Sequence, residues 1–205
     1  MSKVSYLLAL IIQPPNNFEV IKQTIINRRS RQPALYIDKH IDFATLEEIF
    51  NCAGYAPTHK KTQPWKFIVY QGNKKASFAD ELTRLYGVLT PPEKFSEAKS
   101  TEMAAKVHKA NAVALIVLDA HPELLPEWEE VAALSAAVEN MWLACTALGI
   151  GCYWSSPGLI SKLDTFLKLE ENQRCLGIFY LGYSDVELPA WDRKKVNDFV
   201  RWELD

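Results

Sequence analysis

No long run of one charge sign, no hydrophobic stretch long enough to cross a bilayer and no paired-cysteine motif occurs in this chain, and each absence closes off a class of function. Lys plus Arg number 23 against 25 Asp plus Glu, a net charge of −2, so nothing argues for a nucleic-acid surface. The apolar run Tyr6 to Ile12, behind Lys3, is too short to span a membrane, and Gln13-Pro14-Pro15-Asn16-Asn17 after it lacks a small-x-small cleavage site. A cytoplasmic protein is expected, with no membrane or nucleic-acid partner. Cys52, Cys145, Cys152 and Cys175 form no C-x-x-C pair, and three of them sit in apolar stretches, as reduced structural thiols do. His40, His59, His108 and His121 are scattered without ligand spacing, so no metal is expected. No Ser-His-Asp set or activated cysteine suggests a protein nucleophile.

What is present is enough apolar sequence, 48% of 205 residues, for one substantial core. Residues 1–17 read as an amino-terminal extension and 18–205 as one domain. Phe18, Ile21, Ile25 and Ile26 fall at helical spacing up to Asn27, with Asn16 or Asn17 as cap, and Phe43 to Ala53 repeats the pattern with Gly54 placed to close it. Phe67 to Tyr70 reads as a strand, and Lys74 to Lys109 as two helices broken at Thr90-Pro91-Pro92, a lid-like excursion. Ala112 to Leu118 is an unbroken apolar run, as in a central strand covered on both faces.

Trp128 to Leu148 is a helix apolar nearly all round, which places part of a homodimer interface there, the plainer reading being a helix at the centre of a monomeric core. Gly149 to Trp154 gives a short strand, Ile160 to Leu167 a helix, Cys175 to Tyr183 the last core strand, and Val196, Phe199, Val200 and Trp202, at helical spacing, a short amphipathic segment. Strands and helices do not alternate cleanly, so the fold class is α+β.

Two segments carry chemistry. Tyr55-Ala56-Pro57-Thr58-His59-Lys60-Lys61-Thr62-Gln63-Pro64-Trp65 is a cationic turn braced by two prolines, which displays donor side chains with little freedom to lose on binding. Arg28-Arg29-Ser30, at the end of the first helix, offers guanidinium forks and a hydroxyl, suited to a phosphate-bearing cofactor. Each has a plainer reading. Arginines at a helix C-terminus complement its dipole without any ligand, His59 can be a surface residue, Trp65 and Trp154 can be core packing, and Arg193-Lys194-Lys195 can be a solvated charge run.

Arg28-Arg29-Ser30, the Ala-Pro-x-x-x-x-x-Gln-Pro-Trp pattern at Ala56 to Trp65, Asn140 to Ala144, Leu148-Gly149-Ile150-Gly151 and Trp154, in this order, resemble the nitroreductase family of flavin enzymes, and the His-Lys loop is most similar to its small bacterial branch. The resemblance covers roughly Phe18 to Trp202. It implies a central, mostly antiparallel or mixed sheet flanked by helices in a domain-intertwined homodimer, with FMN at the subunit interface. NADH or NADPH would reduce it, and the hydride would pass through flavin N5 to nitro compounds, quinones or related acceptors in ping-pong fashion. By the same resemblance Arg28, Arg29 and Ser30 hold the phosphate and nearby flavin atoms, Tyr55 and His59 reach over from the partner subunit, Trp154, Ser155 and Ser156 lie along the ring and ribityl chain, and Arg193 and Lys194 complete the phosphate site.

Two departures stand out. Lys61 replaces a common Asn, and Gln32 occupies the position that usually places a cation beside the flavin pyrimidine edge, where it favours the anionic reduced ring. Either Arg29, Arg31 or Lys61 substitutes, or the flavin is harder to reduce. Two other readings therefore stay open: an FMN-holding module that senses or stores flavin, and a relative that fragments its flavin oxidatively.

Overall fold

A computed structural model describes residues 16–189 and 191–205. Helix α1, Asn17–Asn27, starts where the Asn16 side chain accepts the Phe18 N–H at 2.7 Å, and α2, Phe43–Ala53, where Asp42 accepts from Thr45 at 2.7 Å. The other elements are β1 Trp65–Gln71, α3 Lys75–Leu89, α4 Glu97–Lys109, β2 Ala112–Asp119, α5 Glu127–Ala147, β3 Ile150–Ser155, α6 Asp164–Leu167 and β4 Gln173–Tyr183.

The strands form one antiparallel sheet in the order β1-β2-β4-β3. A parallel bridge between Ser30 and Cys152 makes it mixed along the β3 edge. β2 is the key to the layering. Its even residues Ala112, Ala114, Ile116 and Leu118 join α2 and α5 in one core, and its odd residues Val113, Leu115 and Val117 join α3 and α4 in another. A strand buried on both faces has no polar alternation to show, which is why this segment reads as an unbroken apolar run.

The fold is thus α+β in three layers, with three outcomes that differ from the sequence reading. The α3–α4 pair is no lid: Phe78, Ala79, Leu82, Leu85, Tyr86 and Val107 are buried in the second core, so these helices cover the sheet. The tail segment forms only a short 3₁₀ turn at Val196–Asp198, because nothing among the described residues covers its apolar side. The expected Ile160 to Leu167 helix is also split, into a 3₁₀ turn at Ile160–Lys162 and the four residues of α6. Most of residues 1–17 lie outside the described residues. Among the described residues no helix is long and apolar enough to cross a membrane.

Several large apolar side chains remain uncovered. α1 buries none of its residues, exposing Phe18, Ile21, Ile25 and Ile26, and the tail exposes Trp191, Phe199, Trp202 and Leu204. On α5 one face enters the core through Leu134, Ala137, Val138 and Met141, while Trp128, Ala132 and Leu148 face outward.

Candidate active site

Arg28, Arg29 and Ser30 leave the end of α1 in an extended path that docks on the edge of β3. The Arg31 N–H donates to the Cys152 carbonyl at 2.8 Å, and the Trp142 indole N–H donates to the Arg29 carbonyl at 3.4 Å. The Arg28 guanidinium lies 4.7 Å from the Trp142 ring centre and 3.5 Å from Glu139, so α5 holds its fork in place by stacking and charge. β3 is an edge strand, and its end, Trp154, Ser155 and Ser156, lies beyond the Ser30–Cys152 bridge on the same side. The hydroxyls of Ser30, Ser155 and Ser156 make no side-chain hydrogen bond among the described residues, and Ser30 and Ser156 are exposed.

Trp154 is seated differently from its neighbours. Its indole lies over Gly177, where an added Cβ would come within 2.0 Å of the ring nitrogen, and it packs on the α5 side of the sheet. This packing fixes the end of β3, next to Ser155 and Ser156.

Arg31, one of the possible substitutes for the missing cation at position 32, is already engaged. Its guanidinium donates to the Val186 carbonyl and lies 3.5 Å from Ser184, with its stem packed on Gly151. Gln32 is exposed and opens into a cavity of about 550 Å³ shared with Ala34, Glu102, Ala105, Lys106, His108 and Lys109. Lys106 is ion-paired to Glu102 at 2.7 Å, a bond that holds the Glu102 carboxyl below the usual carboxylate range. Sequence reading missed Lys106: on a mixed-charge helix it looks like any i,i+4 partner.

The proline loop lies elsewhere. Its backbone is left-handed at Lys60 (φ 48°), Lys61 (φ 58°) and Gln63 (φ 49°), a conformation that costs each non-glycine residue about 1–2 kcal/mol. Ties to neighbouring elements hold it. His59 Nδ1 meets Glu129 Oε2 at 2.6 Å, Lys60 Nζ donates to the Leu124 carbonyl at 2.9 Å, and the Thr58 hydroxyl accepts the Gln63 N–H at 3.1 Å. Tyr55 is 87% exposed beside a shallow cavity lined by Cys52, Asn140, Leu143, Ala144 and Ala147.

The structure seats Ser30 on the edge of β3 at Cys152, with Trp154, Ser155 and Ser156 two to four residues further along the chain and Arg28 and Arg29 on the other side of the bridge. It does not bring Tyr55 and His59 to them. His59 is tied to Glu129 at the start of α5 and Arg28 to Glu139 ten residues on, and the two glutamates stand about 15 Å apart along the helix axis. Arg193 and Lys194 are not joined to the clamp either; both are exposed on the tail, with Arg193 over the Trp191 ring at 5.3 Å.

Burial, with Cys145 against it, pushes the Cys152 thiol well up, and burial pushes Cys175 up to about 12. Among the described residues no group of three or more His, Cys, Asp or Glu is arranged to hold a metal.

Comparison with known proteins bears on the fold and the family. A sequence model of the Nitroreductase family matches residues 25–183. An Archaeoglobus fulgidus protein named "Putative NADH dehydrogenase/NAD(P)H nitroreductase" is 30% identical over 165 residues, 78% of this chain and 82% of its own. The crystal structure of a nitroreductase-like family protein from Bacillus cereus has a TM-score of 0.79 at 23% identity, covering 94% of this chain and 98% of that one. The FMN-dependent nitroreductase NfnB from Mycobacterium smegmatis, solved with NADPH, gives 0.71 at 18% identity, covering 92% and 100%. The chain belongs to the nitroreductase family.

Proposed function

We propose that this protein is an FMN-dependent oxidoreductase that takes electrons from NADH or NADPH and delivers them to nitro compounds, quinones or related acceptors. It works as a homodimer with the cofactor between the copies. The observation that carries this reading is the separation of the two ligand-facing segments along α5. Arg28 lies against Glu139 and Trp142 in the second half of α5 and His59 against Glu129 in its first turn, two contact points about 15 Å apart along the helix axis. A two-fold axis that sets the α5 helices antiparallel brings the loop of one copy to the clamp of the other. The uncovered apolar faces of α1, α5 and the tail supply what such a dimer buries.

The residues present fit FMN. Arg28 and Ser30 offer a fork and a hydroxyl to the dianionic phosphate, with Arg29 beside them, and Arg193 and Lys194 reach the same group on assembly. Ser155 and Ser156 line the ring and ribityl chain, while Tyr55 and His59 of the partner subunit cover it. Lys106 replaces the cation that Gln32 cannot supply, since both line one cavity. Bound FMN supplies two-electron redox chemistry between nicotinamide and acceptor. The protein's side chains bind it, orient it and exclude water.

The test is anaerobic titration of FMN-loaded protein with NADH and NADPH, followed by a benzoquinone or a nitroarene. Bleaching of the flavin and its return on adding the acceptor are expected. A flavin that stays oxidised with both nucleotides contradicts the reading and favours a storage or sensing module, whereas oxygen-dependent loss of the flavin spectrum marks the fragmenting chemistry.

A further inference from the structure

His59 and Glu129 form the closest side-chain contact between the proline loop and the body of the chain, and its consequence goes beyond holding the loop down. Glu129 sits in the first turn of α5, where a carboxylate complements the helix dipole and where its own N–H is already bonded to the Pro126 carbonyl at 3.1 Å. Its Oε2 lies 2.6 Å from His59 Nδ1. An ionised carboxylate only accepts hydrogen bonds, so Nδ1 must carry the proton, and the other ring nitrogen, Nε2, is the one left facing outward. The imidazole is exposed on that side, and the neighbouring Lys60 is engaged with the Leu124 carbonyl, which leaves the ring edge uncovered by its own loop.

We propose that Glu129 is a positioning residue for the flavin: by taking the Nδ1 proton of His59 it fixes both the ring's orientation and its tautomer, and so decides that Nε2 is the atom the arm presents to the cofactor held by the partner subunit. This rests on the reading of His59 as a flavin-facing arm, and adds to it a residue 70 positions away that never touches the cofactor itself. The left-handed backbone at Lys60 and Lys61 gives the arrangement its purpose. A strained loop relaxes unless it is tied, and an arm that had to be ordered at each binding event would lose part of its affinity to that ordering.

The experiment compares FMN-loaded wild type, Glu129→Ala, Glu129→Gln, His59→Ala and the double variant His59→Ala/Glu129→Ala. FMN dissociation constants and the histidine side-chain ¹⁵N spectrum are measured on each, with thermal melting to confirm folding. The wild type is expected to show His59 as the Nδ1–H form, and Glu129→Ala to shift it toward Nε2–H. FMN binding should weaken about two- to tenfold in Glu129→Ala, the range for one lost hydrogen bond. Glu129→Gln keeps an acceptor oxygen and should lie between the two. The double variant should bind no more weakly than His59→Ala, because Glu129 acts only through the imidazole. An Nε2–H tautomer in the wild type, or normal FMN affinity in Glu129→Ala while His59→Ala binds weakly, overturns the role of Glu129 and leaves the flavin reading standing. Normal affinity in His59→Ala overturns both.

Discussion

Replacing Gly177 by alanine tests how the end of β3 is held, and the size of the effect follows from the structure. Gly177 lies on β4 beside the register shift between Ile116 and Val117, and the indole of Trp154 crosses it diagonally from β3. A Cβ at this position would stand 2.0 Å from Trp154 Nε1, 2.7 Å from Cδ1 and 3.1 Å from Cε2. Ordinary contact begins near 3.5 Å, so the ring must retreat by roughly 1.5 Å. It cannot simply swing outward, because it packs against the core formed with α5. Overpacking of this kind costs about 1–3 kcal/mol, and each kcal/mol lowers Tm by about 2–4 °C in a domain of this size. The expected fall is thus about 2–12 °C. The displaced ring carries Ser155 and Ser156 with it, so FMN affinity should drop about tenfold, equal to 1.4 kcal/mol. Differential scanning fluorimetry and flavin-fluorescence titration measure both. A variant with wild-type Tm and wild-type FMN affinity refutes the seating of Trp154 over Gly177 and its part in shaping the site.

Arg28→Ala removes a charge-assisted phosphate contact and should weaken FMN binding by about 1.5–3 kcal/mol, roughly 10- to 100-fold by equilibrium dialysis; unchanged binding shows the clamp is assigned to the wrong residue. Lys106→Gln should make the flavin midpoint potential more negative, because a cation near the pyrimidine edge favours the reduced anion; an unchanged potential in spectroelectrochemical titration removes Lys106 from the site. Ile21→Asp together with Ile25→Asp on the exposed face of α1 should halve the mass seen in sedimentation equilibrium and abolish FMN binding; an intact dimer shows that α1 is not part of the interface. Bonds from Thr45 hold the Asp42 carboxyl below its usual range, so its contribution to stability is fully present above the ordinary carboxylate range and is lost as pH falls through the depressed value. Asp42→Asn keeps a capping oxygen but no charge, so the Tm difference from wild type should be present at neutral pH and vanish in strong acid; a gap independent of pH contradicts the assignment.

Helical boundaries were legible where an end signal and a periodic apolar face coincided, as at Asn16 for α1 and at Gly54 after the α2 stripe Leu46, Ile49 and Ala53, while the Asp42 cap of α2 was not picked out. The central strand was legible because burial on both faces removes alternation from Ala112 to Leu118. Strand order was not, since β2 pairs with β1 some 45 residues earlier and with β4 some 60 residues later, and nothing local records such pairings. The clamp and the loop stood out as residue types in a pattern, but their supports did not. Glu129 is 70 residues from His59, and Lys106 shares a cavity with Gln32 only because α4 packs beside the turn that follows Gln32. Left-handed backbone at two consecutive lysines carries no signature at all, since lysine has no preference for it. The tail misled for a related reason: Val196, Phe199, Val200 and Trp202 have helical spacing, but an apolar stripe makes a helix only where a surface is present to cover it.

The most direct measurement is a crystal structure of the protein with riboflavin 5′-phosphate. The account predicts one cofactor per chain, its phosphate on Arg28 and Ser30 of one copy and its ring covered by Tyr55 and His59 of the other. A cofactor enclosed by a single chain, or a solitary chain that binds none, contradicts it.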